Sequence, residues 1–395
     1  MRAWHLSIAA VATATCLGLS GCAASDALTS GSDEPTAAPS ATPAQVDFAI
    51  NVRHGAKQVP VDRRVVVRAS KGSLESVSLR SPNGPINGQL SPQSTTWRAG
   101  GSLRPATTYT LTTTGVDDAG RTRTQTTRFR TRALTLEEQT YPSFVPMDGA
   151  TVGIAMPAII RFDVPVVDKK SIQKHLKVTS APAQPGAFHW ISDVEVHWRP
   201  KNYWQPGTRV TVQADIGGVP AGNGIYGQLD RTARFTVGRA QIVKVDAAAH
   251  RMRVMRGGVQ VRDFPITTGK PGFTTRSGTK VIMEKFPTRR MNSETVGIAR
   301  GSSEAYDIDD VRWAMRVTYS GEFIHAAPWS VGSQGHANVS HGCTGMSTSD
   351  AQWLYDNTLI GDPVEYTGTD RPMTLTNGYG DWNMPFSQYR TGSAL

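Results

Sequence analysis

Trp97-Arg98-Ala99-Gly100-Gly101-Ser102-Leu103-Arg104-Pro105-Ala106-Thr107-Thr108-Tyr109 is a run of large side chains broken by glycines and a proline, and its outline returns 101 residues later from Trp198 to Val210. In each copy a Trp stands eight residues before a Pro, Pro105 or Pro206, that opens a second apolar segment. Each unit then closes on an Arg-Phe strand, Arg128-Phe129 or Arg234-Phe235. The offset is the length of one immunoglobulin-like sandwich. The flanking sequence agrees, with short alternating runs such as Val65-Val66-Val67, Tyr109-Thr110-Leu111 and Ala158-Ile159-Ile160 and no long helical period. Residues 46–133 and 134–237 are therefore expected to form two tandem β-sandwiches. Trp97 and Trp198 read as core residues at the start of a hairpin. Neither unit gathers side chains suited to chemistry, so both read as spacer or contact modules.

With 395 residues the chain exceeds one ordinary domain. Its formal charge of +10, from 42 Lys and Arg against 32 Asp and Glu, suits a membrane surface or an acidic polymer. Nucleic acid is excluded as a partner because no basic helix, zinc-ligand spacing or stacking-aromatic motif accompanies that charge. Arg2 and the apolar stretch from Leu6 to Leu19 read as an export signal, too short to span a bilayer. The signal ends in Leu19-Ser20-Gly21-Cys22, which resembles a bacterial lipobox, so residues 1–22 are expected to be removed up to Cys22 and Cys22 lipidated. The Ala-, Ser-, Thr- and Pro-rich residues 23–45 then form a flexible tether, roughly 25–30 Å root-mean-square and at most about 80 Å stretched. Cys16 lies in the signal and Cys22 carries lipid. Cys343 is left as the one thiol, with no disulfide framework to explain it.

Past residue 238 the pattern changes. Gln241–Val245, Met252–Met255 and Val259–Phe264 read as strands, the last two joined through Gly257-Gly258 as a hairpin. Thr267 to Gly272 and Ser277-Gly278-Thr279 read as loops. One helix is expected over 349–357, N-capped within Ser347-Thr348-Ser349. The tail, residues 369–395, carries Tyr379, Trp382, Phe386 and Tyr389 and is expected to pack back on a folded domain.

Two segments carry chemistry: Phe323-Ile324-His325-Ala326-Ala327-Pro328-Trp329-Ser330 and Asn338-Val339-Ser340-His341-Gly342-Cys343-Thr344-Gly345-Met346-Ser347. A thiol attacks as thiolate, and an imidazole in reach can take its proton. Glycines on both sides of Cys343-Thr344 allow a sharp turn whose amides could hold an oxyanion. Zinc binding by His325, His336, His341 and Cys343 is the rival, but their spacing matches no zinc pattern and no metal or cofactor is expected.

His325 followed eighteen residues later by Cys343 in Ser-His-Gly-Cys resembles the signature of the L,D-transpeptidase (YkuD-type) catalytic domain. The likeness covers residues 238–368, including Thr268-Gly269-Lys270-Pro271-Gly272 and Gly361-Asp362-Pro363-Val364. The layout as a whole resembles actinobacterial lipoprotein members with two immunoglobulin-like domains and an aromatic tail. The expected fold class is thus mainly β, two sandwiches followed by a β-rich catalytic domain with a short helix. The resemblance implies Cys343 as nucleophile, His325 as base and His341 as a supporting hydrogen bonder. It implies an oxyanion hole from the amides of Gly342 and Cys343 with Tyr306, and a lid from about Met291 to Trp313. Met291, Tyr306, Ala326, Trp329, Ser340 and Gly345 are the implied substrate-contacting positions. Gly345 stands where many members have Asn, which bears on specificity rather than chemistry. Ala326 follows the base His where Gly or Ser is frequent, and its carbonyl can still orient His325.

The implied activity is 3→3 cross-linking of peptidoglycan tetrapeptide stems through a Cys thioester, with carbapenem β-lactams as covalent inhibitors. Hydrolysis of the same donor bond (L,D-carboxypeptidase) and a non-catalytic wall-binding lipoprotein are the alternatives. The expected setting is a monomer anchored by lipid to the outer face of the cell membrane, working in the wall.

Overall fold

The computed structural model describes residues 45–395. Cys16, Cys22 and the tether through residue 44 lie outside the described residues.

Alternation in the sequence becomes sheet geometry in the first sandwich. Along Thr108–Val116 every second side chain points inward, and this strand pairs residue for residue with Thr122–Arg130. That register stacks Tyr109 on Phe129 with ring centroids 5.3 Å apart. The two sheets are each four-stranded, one holding Thr96–Ala99 and the other Thr108–Val116. The second sandwich repeats the plan, with Glu195–Pro200 in one four-stranded sheet and Arg209–Asp215 in the other. Trp97 and Trp198 are core residues, buried to 4% and 7% exposure. Neither opens a hairpin, however. In both copies the segment after the Trp crosses from one sheet to the opposite sheet.

The repeat also has a glycine that the sequence reading missed. Gly88 and Gly186 sit on the neighbouring strands, and a Cβ on either would lie 2.1–2.2 Å from the Trp97 or Trp198 ring. Each indole lies over bare backbone.

The catalytic domain packs a five-stranded sheet against a four-stranded one. The first holds Gln241–Asp246, Arg251–Arg256, Val259–Pro265, Gly278–Val281 and Pro363–Thr367. Gly257 and Gly258, at φ 53° and 86°, make the expected hairpin turn, which needs positive φ at both positions. Gly278 and Thr279 are not a loop. They begin a strand that pairs with Pro363–Thr367. The second sheet runs Glu284–Asn292, Asp307–Arg316, Phe323–Ala326, Thr344–Met346. Val243, Val254, Met315, Ile324 and Met346 fill the space between the sheets. Helix Thr348–Asn357 starts where Ser347 Oγ accepts the Asp350 N–H at 3.2 Å, and it buries Ala351 and Leu354.

The aromatic tail packs back on the second sandwich. Tyr379, together with Val281 and Met283 of the catalytic domain, enters that sandwich's core, so the two units share one apolar cluster. Trp382 and Tyr389 flank the Arg199 guanidinium at 4.7 and 4.4 Å. At the centre His197 is clamped between Asp381 (Nδ1 to Oδ1 2.9 Å) and Glu195 (Nε2 to Oε1 2.8 Å), and Tyr389 Oη donates to Asp381 at 2.7 Å.

Burial opposes charge on His197, but the Asp381 and Glu195 carboxylates outweigh it and hold its pKa up at about 9. The folded state therefore keeps a proton that the unfolded chain gives up near 6.5. This contribution is complete below pH 6.5 and is lost as pH rises to about 9, on the order of 3 kcal/mol in all. Urea midpoints are expected to fall across that window in the wild type and to flatten in His197→Gln. Parallel curves for the two proteins would show that the clamp does not govern alkaline stability.

Candidate active site

The loop that carries Cys343 is built by strand pairing. Phe323–Ala326 lies antiparallel to Asp307–Arg316 on one side and parallel to Thr344–Met346 on the other, with His325 opposite Gly345. That register carries a histidine and the residue just before Thr344, Cys343, to neighbouring positions on the same sheet. The loop ahead of Cys343 is closed by its own serine. Ser340 Oγ donates to the Cys343 carbonyl at 2.6 Å and accepts the Gly342 N–H at 3.1 Å. Gly342 takes φ +119°, a conformation closed to other residues at little cost, and its carbonyl accepts from Thr275 Oγ1 at 2.8 Å.

This wiring revises two expectations. The Gly342 amide is engaged with Ser340, so of the two amides expected for an oxyanion only that of Cys343 has no hydrogen-bond partner among the described residues. Ser340 spends its hydroxyl on the loop, so its part is to shape the turn although it lines the channel.

Cys343 is half-buried and its Sγ rests on the Gly321 carbonyl at 3.7 Å. Burial pushes the thiol pKa up to about 11, assisted by the Glu322 charge and opposed by the Phe323 N–H, Lys280 and Arg316. His325 is buried at 6% exposure. Its Nδ1 donates to the Ala326 carbonyl at 2.8 Å, which leaves Nε2 as the acceptor, and burial lowers its pKa below the usual 6.5. The resting pair is therefore a neutral thiol and a neutral imidazole, with no hydrogen bond between them. A neutral imidazole with a free Nε2 is chemically able to take a proton from a neutral thiol brought within reach.

Cys343 stands between two cavities. One, of about 610 Å3, is lined by Met291, Tyr306, Phe323 and a group of arginines. The other, of about 320 Å3, is apolar and holds His325, His341 and Trp329. Met291, Tyr306 and Cys343 line both. The stretch from Met291 to Trp313, expected to form a lid, belongs to a hairpin, Glu284–Asn292 with Asp307–Arg316, whose connecting loop carries Tyr306. Burial and the neighbouring Cys343 push the Tyr306 phenol up to about 12, so it stays a donor. His341 Nε2 donates to Glu304 at 2.6 Å, and Lys270 Nζ meets the same carboxylate oxygen at 2.6 Å. The His341 ring lies against Phe273 and Tyr306, at 4.7 and 5.1 Å. His341 thus ties the loop between Asn292 and Asp307 to the loop that carries Cys343.

Trp329, 56% exposed and 5.9 Å from the His325 ring, borders the apolar cavity as expected. Ala326 does not. Its methyl faces the domain core, and its service is the carbonyl on His325, while Ala327 lines the cavity. Gly345 is fixed by crowding. A Cβ there would lie 2.9 Å from both Ala327 Cβ and Thr267 Cγ2, and the Thr267 and Gly345 backbones bond to each other in both directions. In this chain an Asn side chain has no room at that position.

A buried charge group behind the loop escaped the sequence reading. Lys280, fully buried, holds Glu322 at 2.5 Å and sits 3.6 Å over the Tyr366 ring; Arg276 meets the other Glu322 oxygen at 2.8 Å. Burial depresses the Lys280 pKa to about 8 against the pull of Glu322. Tyr366 in turn bonds Thr344 at 2.8 Å, so the group braces the residue next to Cys343. The available signal was a charged residue inside an apolar strand run, as in Gly321-Glu322-Phe323-Ile324 and Thr279-Lys280-Val281-Ile282.

Fold and site together define a β-rich enzyme domain with a cysteine and a histidine facing one lidded channel. Residues 240–365 match the L,D-transpeptidase catalytic domain family, and residues 56–220 match the bacterial Ig domain family. L,D-transpeptidase 2 of Mycobacterium tuberculosis is 38% identical over 346 residues, covering 87% of this chain and 84% of the relative. L,D-transpeptidase 5 of the same species is 34% identical over 340 residues, covering 84% and 73%. A solved LD transpeptidase in complex with imipenem is 38% identical, with a TM-score of 0.51 over 57% of this chain and 97% of that one. The chain belongs to the L,D-transpeptidase family.

Proposed function

We propose that this chain cross-links peptidoglycan stems 3→3 through a thioester on Cys343. The observation that carries the reading is the placement of His325 on strand Phe323–Ala326 and of Cys343 immediately before the adjacent strand Thr344–Met346, so that both line the apolar cavity while Cys343 also lines the larger one. Cys343 Sγ attacks the carbonyl of the third stem residue, diaminopimelate, while its proton passes to His325 Nε2. The Cys343 amide and the Tyr306 hydroxyl receive the oxyanion. The C–N bond to D-Ala breaks, His325 returns the proton to the departing amine, and the thioester remains. The side-chain amine of a second diaminopimelate then attacks the thioester, His325 takes the amine proton, and the thiol is released with the new amide. Carbapenems would acylate the same sulfur by opening their β-lactam ring, in line with the imipenem complex of the relative.

Lipid on Cys22 and the tether would hold the catalytic domain outside the membrane, and the two sandwiches would set its distance into the wall. Incubation with a purified tetrapeptide stem, read by mass spectrometry, is expected to give the cross-linked dimer with release of D-Ala. Tripeptide with no dimer would mean that water resolves the thioester and the protein is an L,D-carboxypeptidase. No consumption of the stem would overturn the reading.

A further inference from the structure

Lys280, Glu322 and Arg276 form a buried charge group that the reaction above does not use. Lys280 is fully buried, Glu322 is 5% exposed and the Arg276 side chain 16%. Apolar side chains of similar volume generally hold such a position as well or better, because dehydrating the ions offsets their attraction. Stability alone therefore does not account for the group, and its neighbours supply another role.

Glu322 lies between the two residues whose backbones touch the sulfur. Gly321, before it, gives the carbonyl that accepts from Cys343 Sγ at 3.7 Å. Phe323, after it, gives an N–H that donates to the same sulfur, and it opens the strand Phe323–Ala326 that carries His325. The Glu322 carboxylate is clamped on both oxygens. Lys280 Nζ meets one at 2.5 Å, and the Arg276 backbone N–H and guanidinium meet the other at 3.2 and 2.8 Å. Its backbone is fixed as well, the N–H donating to Thr318 Oγ1 at 2.9 Å and the carbonyl accepting the Val317 N–H at 3.0 Å. Lys280 also reaches the other flank of Cys343. It lies 3.6 Å over the Tyr366 ring, whose hydroxyl bonds Thr344 Oγ1 at 2.8 Å. One buried ammonium thus ties down both segments that meet at the sulfur, the one leading to His325 and the one following Cys343.

Resting on the reading of Cys343 as the acyl carrier, we propose that Lys280 and Glu322 are positioning residues for the reaction. Their ion pair holds the Gly321 carbonyl, the Phe323 N–H and Thr344 in place, and so sets the aim of the Cys343 sulfur and its register with His325.

The test is acylation by imipenem, followed by intact mass over time at several drug concentrations, so that the acylation rate constant and the half-saturating concentration separate. Removing one charge would leave the other buried alone and destabilise the fold, so both are removed together. Lys280→Met with Glu322→Leu is expected to melt within a few degrees of wild type. Its acylation rate constant is expected to fall about 10- to 100-fold, the cost of a slight misplacement of reacting groups, with half-saturation within about threefold. Lys280→Met with Glu322→Gln, whose amide oxygen can still accept from Arg276, is expected to fall between that variant and wild type. This second double variant carries the test should the first melt early. A rate constant within about threefold of wild type in the first variant, or in the second where only it folds, overturns the positioning role, as does a loss confined to half-saturation. If iodoacetamide alkylates Cys343 of wild type and imipenem does not acylate it, the acyl-carrier reading itself fails and the positioning role falls with it.

Discussion

Cys343→Ala is expected to lose all stem consumption and all covalent labelling by carbapenems while keeping its melting temperature within a few degrees. Loss of a catalytic nucleophile costs on the order of 10^6 in kcat, which puts the variant below detection in an ordinary assay. The fold should tolerate the change because the thiol donates only a long hydrogen bond, to the Gly321 carbonyl at 3.7 Å, and the turn is held by Ser340, Thr275 and Gly342. Burying the sulfhydryl holds its pKa near 11, so no structural interaction of a thiolate is lost. The measurement is release of D-Ala beside intact mass after drug treatment. Residual D-Ala release at more than a trace would place the nucleophile elsewhere.

His325→Ala is expected to cost about 10^2- to 10^4-fold in kcat/KM at pH 7, the usual worth of a positioned base. Its pH profile is the sharper signature. Burial lowers the His325 pKa, so the neutral form that accepts the Cys343 proton persists below pH 6.5 and the acid limb of the wild-type profile lies under that value. Without the imidazole the rate must follow the thiolate fraction. It should then climb about tenfold per pH unit toward the thiol pKa of about 11, and the deficit against wild type should narrow as it climbs. An unchanged profile in the variant would show that another group takes the proton.

These two residues were legible in the sequence for a physical reason. A thiol that stands apart from the two cysteines of the N-terminal segment and a histidine on an apolar strand, eighteen residues apart, need only local spacing to be recognised. The β-sandwiches were legible through period-2 runs such as Thr108–Val116, and helix Thr348–Asn357 through its Ser347 cap. What could not be read depends on contacts between distant segments. Lys270, Glu304 and His341 meet only because the lid loop folds over the nucleophile loop. Lys280 and Glu322 lie 42 residues apart and are joined by packing of two sheets. The hairpin expectation at Trp97 and Trp198 failed because strand order in a sandwich is not local. A chain crossing between sheets and a chain turning back look alike in composition. Gly345 belongs to the same class. Its need for a glycine comes from Thr267 and Ala327, and the sequence alone offered only its difference from the common Asn.

Peptide mapping of the wild-type chain after incubation with imipenem tests the central claim most directly. One drug equivalent per chain is expected, carried on the peptide that contains Cys343, with Cys343→Ala unlabelled. A wild-type chain that stays unmodified, or an adduct mapped to any other residue, would contradict the assignment of Cys343 as the acylated nucleophile.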